Sequence, residues 1–464
     1  MMRHAIGAVL IATLAGCAVG PNYKRPEIAT SDRFYGQEQA AEAKTLTDTP
    51  WFEVFGDPTL KALVDEAVAT GFDARIAAAR VQEAQARYGI AKSDFYPQIG
   101  YGAGYDYRRL PETIDASGDP SNVYSANVSI SWELDIWGRV RRLNEEALNS
   151  YLATEEARQG VLLTLASDVA QSYFELLALD DELEIARHTT AAYQAMYDLF
   201  DRRLQGGAAS ALETSYALGA LKSTASQIPD LERRIVQTEN RINLLVGRQP
   251  GPVARGTALA EQPICPEAPP GLPSTLLERR PDVRQAEYEL HAANASIGVA
   301  TANFFPTISL TGLFGGLSPE LSEIFGTNQT WSVGAGLLGP IFQGGRLKQA
   351  KAATVAQWER SLASYEKTVT SALGDVSTAL VAKQKLAHVK TELIASVTAF
   401  EEAVRIANIR YLSGLSSYFE VVNAQQQLFP AELLLARARR DELNAIVSLY
   451  KALGGGWQPP PQNP

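Results

Sequence analysis

The sequence predicts a mainly α-helical protein with a small transmembrane β portion, built from two similar halves. Three observations predict it: four short strands of alternating apolar and polar residues, two very long helical stretches without proline, and a set of landmarks that recurs in the same order. The first strand pair, within 95–133, sets Phe95, Pro97, Ile99, Tyr101, Ala103, Tyr105 and Tyr107 against Gln98, Gly100, Gly102, Gly104 and Asp106. It continues with Tyr124, Ala126, Val128, Ile130 and Trp132 against Ser125, Asn127, Ser129, Ser131 and Glu133. The second pair, within 304–338, sets Phe304, Pro306, Ile308 and Leu310 against Thr307, Ser309 and Thr311, then Trp331, Val333, Ala335 and Leu337 against Thr330, Ser332, Gly334 and Gly336.

Each stretch has the length and period of a strand with one lipid-facing and one water-facing side. Four such strands cannot close a barrel, and open strand edges in hydrocarbon leave backbone N–H and C=O groups unpaired at a cost of several kcal/mol each. The missing strands must come from other copies. Two copies reach the roughly eight strands of the smallest membrane barrels, and three, with about 12, leave a wider water-filled lumen. The alternative is a soluble Gly-rich sheet packed on helices.

The N-terminus argues for export. Arg3 and His4 precede an apolar run from Ala5 to Leu14 that ends in Leu14-Ala15-Gly16-Cys17. The run is too short for a spanning helix, which needs about 20 residues, and has the charge, length and small-residue terminus of a signal segment over 1–16. Leu-Ala-Gly-Cys resembles the bacterial lipoprotein signal. That resemblance implies acylation of Cys17 as the first mature residue and, with Ala18 rather than an aspartate after it, delivery to the outer membrane. Two or more acyl chains would anchor the terminus firmly. An ordinary signal peptide is the alternative. Cys265 is then left without an obvious intramolecular partner, so no disulfide framework is expected.

A formal net charge of -10 over 464 residues gives no basic surface for nucleic acid. The helical stretches run from 139 to 203, with no Pro and only Gly160, and from 346 to 411. An unbroken helix over the first would reach roughly 100 Å, well beyond the usual globular helix, and suggests coiled packing. Gly206-Gly207 and Gly414 mark turns after them, and returning helices end near Gly247 and Gly454, with Pro229 and Pro430 expected to break or kink them.

The halves match at Gly89–Pro97 with Gly298–Pro306, Trp137–Arg139 with Gly344–Arg346, Gly207–Glu213 with Gly414–Glu420, and Leu245–Gly247 with Leu453–Gly455. The expected organisation is a lipid-anchored segment over 17–57, a first repeat over 58–247, a Pro-rich linker over 248–275, a second repeat over 276–455, and a tail over 456–464. Each repeat reads as helix, hairpin, very long helix, turn and returning helix.

Three further motifs, Trp51-Phe-Glu-Val-Phe-Gly-Asp-Pro-Thr-Leu60, Leu276-Leu-Glu-Arg279-Arg280-Pro281-Asp282-Val-Arg-Gln-Ala-Glu287 and the two glycine turns, resemble the outer-membrane efflux factor family of bacterial tripartite pumps. The resemblance spans nearly the whole mature chain. It implies a homotrimer with a 12-stranded β-barrel, four strands per protomer, continued by a long periplasmic α-helical barrel. It also implies no catalytic role, a periplasmic membrane-fusion adaptor, and an inner-membrane transporter of the RND, MFS or ABC class as the energy source. The family's periplasmic gate, a tyrosine and acidic residues near the turns, maps onto Tyr411, Glu420 and Asn423, with Glu213 at the matching acidic position of the first half. Asn423 departs from the pattern, since an acidic residue is common there.

Three Glu420 side chains near a symmetry axis would attract cations and repel one another, tuning selectivity and the cost of closure. The structural alternative for Glu213 and Glu420 is a solvated acid at a helix start, where the macrodipole favours it. Arg279, Arg280, Pro281 and Asp282 read as a structural clamp at a helix entrance rather than a substrate site. Trp137-Gly138-Arg139 and Gly344-Gly345-Arg346 read as barrel-to-helix junctions, with Trp at interface height.

Enzyme chemistry finds no support. His4, His188, His291 and His388 are dispersed without metal-ligand spacing, and no cofactor motif is present. The expected function is a passive, gated conduit in the outer membrane that exports drugs or other small toxic solutes. Type I protein secretion and a non-conducting, lipid-anchored periplasmic coiled-coil scaffold are the alternatives.

Overall fold

The computed structural model describes residues 18–28, 33–36, 55–109, 111, 113, 119–208, 210–262, 278–326 and 329–455. The signal segment, Cys17, Trp51 to Val54, Cys265, Leu276-Leu277 and the tail from Trp457 lie outside the described residues. In chain order the elements are α1 (Pro58–Thr70), α2 (Phe72–Ser93), β1 (Gln98–Arg108), β2 (Ser121–Leu134), α3 (Arg139–Gln205), α4 (Ala211–Ala225), α5 (Gln227–Val246), α6 (Pro281–Ala302), β3 (Thr307–Ser318), β4 (Gln329–Leu338), α7 (Arg346–Leu412) and α8 (Tyr418–Ala452). They fall into two compact units. The first comprises 1–27, 80–155 and 285–366, and the second 28–79, 156–284 and 367–464.

The first unit carries one antiparallel sheet of order β1-β2-β3-β4. Register places like with like. Ile99, Tyr101 and Tyr105 oppose Ile130, Val128 and Tyr124; Val128 and Trp132 oppose Phe314 and Leu310; and Phe314 and Leu310 oppose Trp331 and Ala335. The other face is mostly small or polar, with Gly100, Gly102 and Gly104 opposite Ser129, Asn127 and Ser125, and Ser309 and Thr311 opposite Gly336 and Gly334, although Leu313 and Leu317 also lie on it. A one-residue slip would exchange the two faces, so the alternation specifies the register.

The strands begin later than the alternation predicts. Asp94, Phe95 and Tyr96 donate backbone hydrogen bonds back to Ala91, Lys92 and Ser93, and Phe304 and Phe305 do the same to Thr301 and Ala302. Pro97 and Pro306 have no N–H for the ladder. Where the sheet passes into α3, Gly138 takes φ +76, Asp135 accepts from the N–H groups of Val140 and Arg141 at 2.9 and 3.0 Å, and Trp137 Nε1 donates to the Pro306 carbonyl at 2.8 Å.

A strap over 18–27 packs into the same unit. The Val19 N–H donates to the Trp137 carbonyl, Arg142 donates to Asn22, Arg25 pairs with Glu287, and Tyr23 stacks on His291 at 4.3 Å.

In the second unit the duplication is visible in backbone geometry. Gly207 and Gly414 have φ +72 and +71. Each is followed by a residue whose N–H closes the preceding helix, Ala208 onto Arg203 and Leu415 onto Arg410. The helix-ending pair is Gly247 and Gly454, at φ +83 and +89, so the second half is offset by one residue from the Gly247–Gly455 match that sequence suggests.

Pro229 lies in the first turn of α5, just past the break at Ser226. Pro430, expected to break or kink its helix, lies inside an unbroken α8. The helix is held there by apolar packing of Ala431 and Leu435 on Val397, with Leu393, Phe400 and Leu428 around them. Charged pairs tie the long helices together. Glu182, 1% exposed, receives Arg437 at 2.8 and 3.0 Å, while Glu175 receives Arg440 at 2.7 Å and Arg234 at 3.3 Å.

Asp57 organises the start of this unit. It is buried and caps α1 by accepting from the Thr59 and Leu60 N–H groups, and it also accepts from Tyr173 Oη at 2.9 Å, the Thr257 N–H at 3.2 Å and Gln262 Nε2 at 2.8 Å. Burial alone would raise its pKa, but the hydrogen bonds outweigh it and hold the carboxyl below the usual range. The stabilisation is therefore complete above the unfolded-state pKa and is lost as pH falls through the lower folded value. Asp57→Ala strips the cap and leaves buried donors unpaired. It should lower stability by about 2–4 kcal/mol at neutral pH, measured by denaturant unfolding, and the gap between variant and parent should narrow in strong acid.

Candidate functional site

The glycine turns bring the ends of α3 and α7 beside the starts of α4 and α8. In the second turn Tyr418, the first residue of α8, is 2% exposed and lies 4.3 Å from the Phe200 ring of α3. Tyr411 packs edge-on against Tyr418 at 5.5 Å. Ala217, Ala407, Val421 and Val422 complete this small core. The Tyr418 hydroxyl has no hydrogen-bond partner among the described residues, and burial, with the nearby Tyr193 and Tyr411, pushes its pKa up.

Tyr411 is half-buried on top of this aromatic base. Its hydroxyl accepts from Arg203 Nη1 at 2.5 Å, and the same guanidinium lies 5.6 Å from its ring centroid, within cation–π range. The neighbouring Arg410 donates through Nε to Glu420 Oε2 at 3.3 Å. Tyr411 and Glu420 thus meet at one tip, where consecutive residues of α7 hold α3 on one side and α8 on the other. Asn423 is exposed one turn along α8 from Glu420.

Glu213 sits differently. Its carboxylate accepts from the Ser210 N–H at 2.9 Å while the Ser210 hydroxyl accepts from the Glu213 N–H, a reciprocal capping box at the start of α4.

The central motif lies elsewhere in the second unit. Pro281 opens α6, and Arg280 pairs with Asp282 at 2.7 Å and Asp375 at 3.0 Å while donating to the Ala452 carbonyl at 3.0 Å. Burial opposes ionisation of Asp282, yet the guanidinium holds its pKa below the usual range. These bonds tie the start of α6 to the C-terminal end of α8. Arg279 is engaged as well.

Sequence reasoning passed over Phe200, Tyr418, Arg203 and Arg410. The repeat itself carried a signal for two of them, since Arg203 and Arg410 stand at the same distance before Gly207 and Gly414.

The signature of the family described as outer membrane efflux protein matches residues 63–248 and 272–455, once in each half. The chain belongs to that family. Toluene efflux pump outer membrane protein TtgC of Pseudomonas putida is 34% identical over 460 residues, covering 97% of this chain and 95% of its own. Cation efflux system protein CusC of Escherichia coli is 33% identical over 450 residues, covering 96% and 97%. The solved open state of the Neisseria gonorrhoeae MtrE outer membrane channel superimposes with a TM-score of 0.85 at 28% identity, covering 95% and 98%.

As a member of this efflux family the chain is an outer-membrane channel component of a tripartite efflux system, working with a periplasmic adaptor and an inner-membrane transporter, and is not an enzyme. Tyr411→Ala would uncover the Tyr418–Phe200 pair. Proteolytic nicking at the 205–210 and 412–417 turns should then accelerate several-fold in a timed digest, with Tyr411→Phe, which keeps the ring, close to the parent.

Proposed function

We propose that three copies of this chain close their sheets into one 12-stranded barrel, that the long helices continue its lumen into the periplasm as an α-helical barrel, and that the turns around Tyr411 and Glu420 gate it. The observation that carries this reading is the sheet. One face is mostly apolar, the other mostly small and polar with Val123, Leu313, Leu317 and Leu338 as exceptions, and β1 and β4 each present an unpaired edge. Because successive strands are antiparallel, β1 runs opposite to β4. The β4 edge of one copy can therefore pair with β1 of the next in an all-antiparallel, even-stranded barrel. A scaffold without conduction would leave both this edge pairing and the apolar face without a purpose.

The tip residues Tyr411, Glu420 and, more weakly, Asn423 and Glu213 form the closing end. Arg279, Arg280, Pro281 and Asp282 brace the helix bundle behind it. Lipid on Cys17 anchors the mature N-terminus to the outer membrane. The names of relatives range from toluene to cation efflux over nearly the same chain length, which favours a conduit for small toxic solutes whose choice lies with an RND, MFS or ABC transporter.

Purified mature protein in planar bilayers should give small currents with discrete closures, and Glu420→Ala should change opening or ion preference while assembly persists. Stable protein that stays silent even with Tyr411→Ala and Glu420→Ala combined would reject the conduit. Cys17→Ala should abolish incorporation of radiolabelled palmitate, and an unchanged label would reject the anchor.

A further inference from the structure

The two halves place a glutamate at the same distance after the turn glycine, Glu213 after Gly207 and Glu420 after Gly414, and an arginine at the same distance before it, Arg203 and Arg410. Their side chains take different partners. Glu213 closes the capping box with Ser210. Ser417, the equivalent of Ser210, makes no side-chain cap, and the Glu420 carboxylate turns instead to Arg410. Arg203, the equivalent of Arg410, has turned to Tyr411, a residue whose counterpart in the first half is Leu204. Glu420 has thus given up the local bond its helix position offers in favour of a cation on the neighbouring helix.

We infer that Arg410 is a determinant of ion preference at the periplasmic tip, because it offsets the Glu420 carboxylate and keeps the tip from acting as a bare acidic ring. The inference rests on the reading of Glu420 as a gate residue near the channel axis. Both side chains are about half exposed, at 49% and 48%, so the pair adds little to folding stability. Its effect is on the local field: each protomer presents a near-neutral pair where an unpartnered carboxylate would present a full negative charge. Arg203, which faces the Tyr411 ring and hydroxyl and has no carboxylate within ion-pair distance among the described residues, adds positive charge to the same tip.

The test is the reversal potential of single channels across a salt gradient, for wild type, Arg410→Gln, Arg410→Lys, Glu420→Gln and the Arg410→Gln/Glu420→Gln double variant. At about 0.1 M salt, where the screening length is about 10 Å, Arg410→Gln should raise the cation-over-anion permeability ratio roughly two-fold or more. Glu420→Gln should move it the other way, and the double variant should return towards wild type. Arg410→Lys, which keeps the charge but not the guanidinium geometry, should stay near wild type. The difference between Arg410→Gln and wild type should shrink in 1 M salt, where about 3 Å of screening remains. Equal ratios in wild type and Arg410→Gln at low salt overturn the inference. If Glu420→Gln nevertheless changes the ratio or the frequency of opening, the gate reading survives that result; if Glu420→Gln changes neither, the gate reading falls with it.

Discussion

The backbone groups along the outer edges of β1 and β4 are the constraint on which the rest of the molecule depends. A strand in hydrocarbon must have every N–H and C=O paired, and four strands in one chain leave two edges unsatisfied. The apolar face carried by Tyr101, Val128, Phe314 and Trp331 commits the sheet to lipid. A lone copy therefore cannot be the finished state, and assembly follows from hydrogen-bond accounting rather than from any special contact. The duplication meets the same constraint economically, because each repeat supplies one hairpin and the two hairpins join through β2 and β3 into a single sheet.

The same duplication shows how two copies of a motif diverge. The turn glycines Gly207 and Gly414 have nearly equal φ, +72 and +71, and the turns close their helices with equivalent hydrogen bonds. Their side chains do not follow suit. The first turn is a locally capped helix start, whereas the second gathers Tyr411, Tyr418 and the two arginines into contacts between helices. Local capping is satisfied by neighbours in sequence and so favours one rigid geometry. Contacts between helix ends can be made and broken as the helices move, which is what the proposed gate requires.

Much of the fold was legible because its determinants are periodic or local. Alternation gave the strands and their faces, the lack of proline gave the two long helices, and glycines marked turns that need positive φ. Strand starts were misjudged at Phe95 and Phe304, where the helix end captures backbone donors that the alternation pattern cannot see. Pro430, expected to break or kink α8, does not break it, because packing of Ala431 and Leu435 on α7 offsets the lost hydrogen bond. At the candidate site, Tyr411 and Glu420 were reached through family resemblance, whereas Arg203, Arg410, Phe200 and Tyr418 depend on which helix ends meet in space. The five hydrogen bonds accepted by Asp57 were hidden for the same reason: Tyr173, Thr257 and Gln262 are far from it in sequence.

Covalent capture of the edge pairing tests the central claim most directly. Tyr101 on β1 and Val333 on β4 lie on the apolar face of the two edge strands and are 92% and 81% exposed. Cysteines at both positions in a Cys265→Ser background, treated in outer membranes with short and medium-length bifunctional thiol reagents, should give a denaturing-gel ladder that stops at three chains, with each single-cysteine variant remaining monomeric. A ladder that stops at two chains, one that runs on without limit, or a double variant that stays monomeric with every reagent would contradict closure of the barrel by three copies.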